Sequence, residues 1–153
     1  MIGRRAWFGF VAISVASLLA GCGQSPADGE IAWLLVVQGE VTEVREGEIV
    51  LAVPTTAIAF SDRPDREVRL LDLADFVAAA WADDGGFRAD PPNASLVDET
   101  DGEIAVVEIL GMSISGSSLT VAFEIIEGIG PTAGDRIVFT IDAVSTVNPQ
   151  ITD

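Results

Sequence analysis

Two stretches decide the fold class: Ser118-Leu119-Thr120-Val121-Ala122-Phe123-Glu124-Ile125-Ile126 and Arg136-Ile137-Val138-Phe139-Thr140-Ile141-Asp142-Ala143-Val144. Leu119, Val121, Phe123 and Ile125 share one face of the first; Ile137, Phe139, Ile141 and Ala143 share one face of the second. Side chains alternate across a strand, so a period of two gives one apolar face and one wetted face, the pattern of antiparallel sheets.

Working outward, Asp101-Gly102 and Ser115-Gly116-Ser117 supply hairpin turns, and a strand is expected over roughly Glu103–Ile109 between them. Ala94–Val97 follows the Pro91-Pro92-Asn93 turn as another strand. Near the start of the domain, Ile31–Val37 is a β-rich apolar run that Val41–Val44 continues. Arg45-Glu46-Gly47-Glu48 reads as a hairpin turn into Ile49–Val53, Pro54 breaks that strand, and Thr56–Phe60 is a further short one.

One helix is expected. Leu73, Phe76, Val77, Ala80 and Trp81 fall at the spacing of a single helical face. Asp72 suits its N-cap, Asp75 favours its first turn, and Gly85-Gly86 ends it. Asp83 and Asp84 stand at the negative end of the helix dipole, a conflict that calls for compensation. The expected architecture is mainly β (β-rich α+β): an antiparallel sandwich or partly open barrel of about seven strands, with one short helix closing an end.

The chain carries 24 acids, eight arginines, no lysine and no histidine, for a net charge of −16. Its N-terminal segment is set apart from the fold. Arg4 and Arg5 precede an apolar run from Ala6 to Leu19, which ends in Leu19-Ala20-Gly21-Cys22. This resembles the lipobox of bacterial lipoproteins, with lipidation expected on Cys22. The run falls short of the ~20 apolar residues a bilayer span needs. Cys22 is also the only cysteine, so no disulfide is expected in the domain. The expected organisation is a leader over 1–21, a lipidated cysteine and tether over 22–30, a single domain over 31–146 and a tail over 147–153.

Loss of Arg4 and Arg5 with the leader would take the net charge from −16 to −18. Such a surface repels nucleic acid and anionic headgroups, so the expected link to the membrane is the lipid. The remaining expectations are a monomer outside the cytoplasm, on the cell membrane or outer membrane, with no cofactor. Its partner is expected to be an envelope protein or a small ligand.

Enzymatic readings are narrowed by what the sequence lacks. Without histidine there is no Ser-His-Asp or Cys-His chemistry and no imidazole metal ligand; without lysine there is no Schiff base. Gly128, Gly130 and Gly134 lack the lysine and hydroxyl of a phosphate loop. Carboxylate chemistry remains, and the alternative function is a carboxylate-dependent hydrolase or calcium-dependent module using acids near Asp83, Asp84, Asp98 and Asp101. In Asp98-Glu99-Thr100-Asp101-Gly102-Glu103, Val97 stands where an EF-hand spacing needs an acid, so a hairpin turn with solvated acids is the stronger reading.

The most individual phrase is Phe60-Ser61-Asp62-Arg63-Pro64-Asp65-Arg66, with Arg69 close behind. Forked guanidiniums there suit a carboxylate or phosphate ligand. Mutual pairing of these arginines with their own acids is the weightier alternative. The candidate ligand-binding residues are Asp62, Arg63, Arg66, Trp81, Asp90 and Asn93. Trp81 and Phe87 also read simply as core.

The order Pro54-Thr55-Thr56, Phe60–Arg66, Phe76 and Trp81, Phe87, Asp90-Pro91-Pro92-Asn93-Ala94, Leu119-Thr120 and Gly130-Pro131 resembles a family of uncharacterised exported bacterial proteins. That family is marked by F-x-D-R-P-x-R and D-P-P-N-A phrases, and the likeness spans about Ile31 to Val144. It implies an exported, compact domain and carries no activity, substrate or cofactor. Leu70-Leu71-Asp72 stands where the family pattern has a polar Gly-His segment.

Overall fold

A computed structural model describes residues 32–61, 66–83 and 86–143. Eight strands form one sheet whose every pairing is antiparallel. They are β1 (Trp33–Arg45), β2 (Glu48–Ala52), β3 (Thr56–Ser61), β4 (Val68–Asp72), β5 (Asn93–Asp98), β6 (Ile104–Ser115), β7 (Ser118–Gly128) and β8 (Arg136–Ala143). Two helices, α1 (Leu73–Ala80) and α2 (Gly86–Ala89), lie between β4 and β5. The β-rich class and the partly barrel-like form expected from the alternation are what the chain adopts.

The sheet order β2-β7-β6-β5-β8-β1-β3-β4, with β2 also pairing β1, closes six strands into a ring. β3 and β4 fork from it as a two-stranded flap. The pivot is in β1, whose first residues pair β3 from Trp33 to Val36 and whose later residues pair β2 from Glu40 to Arg45. Gly39 lies between these segments, and a Cβ there would stand 2.8 Å from the Ala52 carbonyl oxygen. Only a residue without a side chain permits that approach. Register shifts at Val41/Glu43, Val106/Val107 and Ile109/Gly111 mark bulges that help bend β1, β6 and β7 around the ring.

The hairpin turns lie where turn chemistry puts them. Arg45 pairs Glu48 across Glu46-Gly47, and Ser115 pairs Ser118 across Gly116-Ser117. Gly47 and Gly116 take φ of +70° and +58°, which a glycine adopts without penalty. Asp72 caps α1 by accepting hydrogen bonds from the Ala74 and Asp75 amides at 2.9 and 3.0 Å.

Leu73, Phe76, Val77 and Ala80 enter the core with the inward faces of the strands, and α1 packs against β4 and β6. It thereby ties the flap to the barrel wall. Three details extend the sequence reading. Val68–Asp72 is a strand, the second glycine of Gly85-Gly86 opens α2, and Ile125 is exposed although its alternation places it inward. β7 runs past the barrel rim beyond Phe123, its last buried residue, so alternation there no longer implies burial.

Candidate functional site

The base of the loop between β3 and β4 is closed by Ser61 and Glu67. The Ser61 amide donates to the Glu67 carbonyl at 2.9 Å, and the Glu67 amide donates to Ser61 Oγ at 2.6 Å. Arg66 lies exposed beside this clasp at φ +52°, a left-handed conformation rare for a residue with a side chain. Asp62 and Arg63, like Cys22 and Asp84, lie outside the described residues.

Arg69 turns inward. Its Nε donates to Glu67 Oε2 at 3.0 Å, and its guanidinium carbon stands 4.7 Å from the centre of the Trp33 ring. Trp33 is buried, so this cation–π contact is shielded on one side from water. Of the arginine cluster, Arg69 thus has an internal partner in Glu67 and a ring to lie on.

At the end of α1, Arg88 supplies the compensation that the acidic terminus needs. Its Nε donates to the Trp81 carbonyl at 2.7 Å and its Nη1 lies 3.4 Å from Asp83 Oδ1. A cation on an orphan carbonyl also complements the negative pole of the helix. Trp81 is half-buried and packs edge-to-face on Phe87 at 5.8 Å; Phe87 meets Phe76 the same way at 6.1 Å. The Trp81 Nε1 is buried and has no hydrogen-bond partner among the described residues.

Asp90 and Asn93 are exposed, Asp90 just beyond α2 and Asn93 at the start of β5. Registers place this start and the Arg66 loop at one end of the sheet: Ala94 pairs Ile141, Trp33 pairs Ala143, and Trp33 also pairs Ser61. β5 and β3 are separated there by β8 and β1, about 14 Å of sheet. No hydrogen bond joins any two of Arg66, Trp81, Asp90 and Asn93. They do not form one constellation.

The acids of the alternative reading are divided. Asp83 is held by Arg88 before β5 begins, whereas Asp98 sits where β5 ends. Asp98 Oδ1 accepts from the Thr100 amide at 2.6 Å and Asp101 Oδ1 from the Glu103 amide at 2.9 Å, the bonding of a tight acidic turn. Gly102, at φ +78°, completes it by donating to the Asp98 carbonyl at 3.0 Å. A cavity of about 210 Å³ opens beside this turn, lined by Asp98, Asp101, Glu103 and Asp135 with Ile129 and Ile137. Asp135 accepts from the Thr132 amide at 2.6 Å and from its hydroxyl at 3.0 Å. Among the described residues, no group of three or more carboxylate, cysteine or histidine side chains is placed to hold a metal ion.

The sequence reading missed an apolar face. On the outside of the flap, Leu34 pairs Phe60 and Phe60 pairs Val68; one row away, Val36 pairs Ile58 and Ile58 pairs Leu70. All but the half-buried Val36 are exposed. A signal was present in Trp33-Leu34-Leu35-Val36-Val37, an apolar run without alternation. Such runs belong to strands covered on both faces.

No family model matches this chain, and neither the curated proteins nor the solved structures yield a similar protein.

Proposed function

We propose that this protein is an exported lipoprotein, cleaved before Cys22 and held by lipid on that residue, whose β domain binds or scaffolds a partner in the cell envelope. The observation that carries the reading is the Arg4-Arg5 head, the apolar run and the Leu19-Ala20-Gly21-Cys22 ending, with the chain's sole cysteine at the cleavage point. Acyl chains anchor a strongly acidic domain that has no electrostatic hold on an anionic bilayer. Among the described residues no helix is long and apolar enough to cross a membrane, and a lipid anchor requires none.

A binding role agrees with the absence of histidine and lysine and with the separation of the candidate carboxylates. The surface offered to a partner is the end that carries Arg66, Asp90 and Asn93. Intact-mass analysis of the membrane-extracted protein tests the anchor. The expected mass is that of the chain from Cys22 plus a diacylglycerol. The Cys22→Ser variant, freed of its leader, is expected in the soluble fraction as a folded domain. Finding it still membrane-bound would overturn the anchor, while Arg66→Ala tests the binding surface through partner capture by a folded variant.

A further inference from the structure

We infer that the outward face of the flap rests on the lipid bilayer that holds the anchor, so that the domain lies on its side against the membrane. This rests on the proposed lipidation of Cys22. The face is a grid of six apolar side chains across three strands: Leu34, Phe60 and Val68 in one row, Val36, Ile58 and Leu70 in the next. Val68 and Leu70 are 63% and 70% exposed and continue the patch to the sheet edge, and contiguous apolar patches mark protein or membrane contacts. Their inward neighbours Arg69 and Leu71 are half-buried and buried, so β4 is two-sided, with apolar groups facing both the core and the outside.

The position of the anchor selects the occupant. Ten residues, Gly23 to Ala32, separate Cys22 from Trp33, and the next residue, Leu34, belongs to the face. Fully extended, that tether reaches at most about 40 Å. The bilayer is thus kept at a high effective concentration beside this face, and a weak apolar contact suffices to orient the domain.

Charge points the same way. β6 lies opposite β1 in the six-stranded ring, and the β6–β7 wall presents Glu108 paired with Glu124, and Glu127 beyond. The two rows of the apolar face carry no acid on β1, β3 or β4; Asp142 borders it beside Leu34, and Asp72 lies one row beyond Leu70. Exposed Ile104, Leu110, Ile125 and Ile126 lie among the acids of that wall, so an anionic bilayer meets repulsion there, whereas the two rows of the flap face offer apolar contact without an acid of their own. Contact should therefore strengthen with salt, opposite to a polybasic surface.

The test uses the lipidated protein in vesicles of phosphatidylethanolamine and phosphatidylglycerol. Lipid occupies the only native thiol, so a nitroxide can be placed singly at Leu70→Cys, and as a control at Ser113→Cys on β6. The expected result is that Leu70→Cys is several-fold less accessible than Ser113→Cys to a water-soluble nickel relaxant and more accessible to oxygen. Adding Val68→Asp should abolish the difference without lowering the melting temperature. Equal nickel accessibility at both sites, in protein whose mass shows the lipid, would overturn the inference and leave the anchor standing. A mass without lipid would overturn both. If Leu70→Cys is instead protected in soluble Cys22→Ser protein that sediments as a dimer, the face pairs two copies and the membrane contact is refuted.

Discussion

Arg69 lies over the ring of Trp33, its guanidinium carbon 4.7 Å from the ring centre, and so joins the free edge of the flap to the first residue of the barrel's longest strand. Ser61, the β3 residue paired with Trp33, meets Glu67 in the same corner, and Glu67 holds the other side of the guanidinium. Removing either partner should loosen the flap rather than a ligand site. Arg69→Ala is expected to cost about 1–2 kcal/mol in urea denaturation, and a cycle with Trp33→Phe to show a coupling of about 0.5–1 kcal/mol. A cost below experimental error would show that the stack contributes nothing.

Trp81 combines good packing with a buried N–H that has no acceptor among the described residues. Trp81→Phe retains an aromatic ring against Phe87 and discards the orphan donor, whose burial costs about 1–3 kcal/mol. Its stability is expected to stay within about 1 kcal/mol of the parent, whereas Trp81→Ala should lose roughly 2–4 kcal/mol. If Trp81→Phe is as damaging as the alanine variant, the indole nitrogen has a partner in solution.

Arg88 and Asp83 should respond unequally although they are paired. Arg88→Ala leaves the Trp81 carbonyl without its donor and the helix end without its cation, and is expected to cost about 1 kcal/mol. Asp83→Ala removes an acid with a fully exposed side chain from the negative pole and is expected to be neutral or slightly stabilising. Thermal melts of the two variants side by side decide this. Equal losses would place the energy in the ion pair instead of the cap.

Calcium is expected to leave the melting temperature unchanged, and so is a chelator. Asp98, Asp101 and Asp135 each give carboxylate oxygens to neighbouring amides, so the acids beside the cavity are engaged in turn formation. A ligand that bound the folded state at a hundred times its Kd would add about 2.7 kcal/mol, readily visible in a melt. A rise of several degrees with calcium would restore the calcium-dependent reading.

Local chemistry was legible where short-range physics dominates. The alternation of β7 and β8, the Asp72 cap and the turns at Glu46-Gly47 and Gly116-Ser117 all follow from neighbours in sequence. Val68–Asp72 was not legible as a strand: five residues in an arginine-rich phrase give a weak signal, and its pairing with β3 is what makes it one. Closure was likewise hidden, because β1 meets β8 and β5 meets β8 across long stretches of chain. Of the candidate site, the charge cluster was visible, but its division was not. That Arg69 folds onto Trp33 while Arg66 faces solvent depends on strand direction and on a left-handed residue in the loop.

The pairing of β1 also has a mechanical meaning. Tension transmitted through the residues before Trp33 enters the domain along the axis of this strand, whose first four residues are bonded to β3 on one side and β8 on the other. Pulling along a strand so flanked loads its hydrogen bonds together in shear, whereas pulling across a hairpin would open them one after another. With the proposed anchor at Cys22, drag on the domain would be met by its most heavily clamped strand, and the flap edge at β4 would lie out of the line of force.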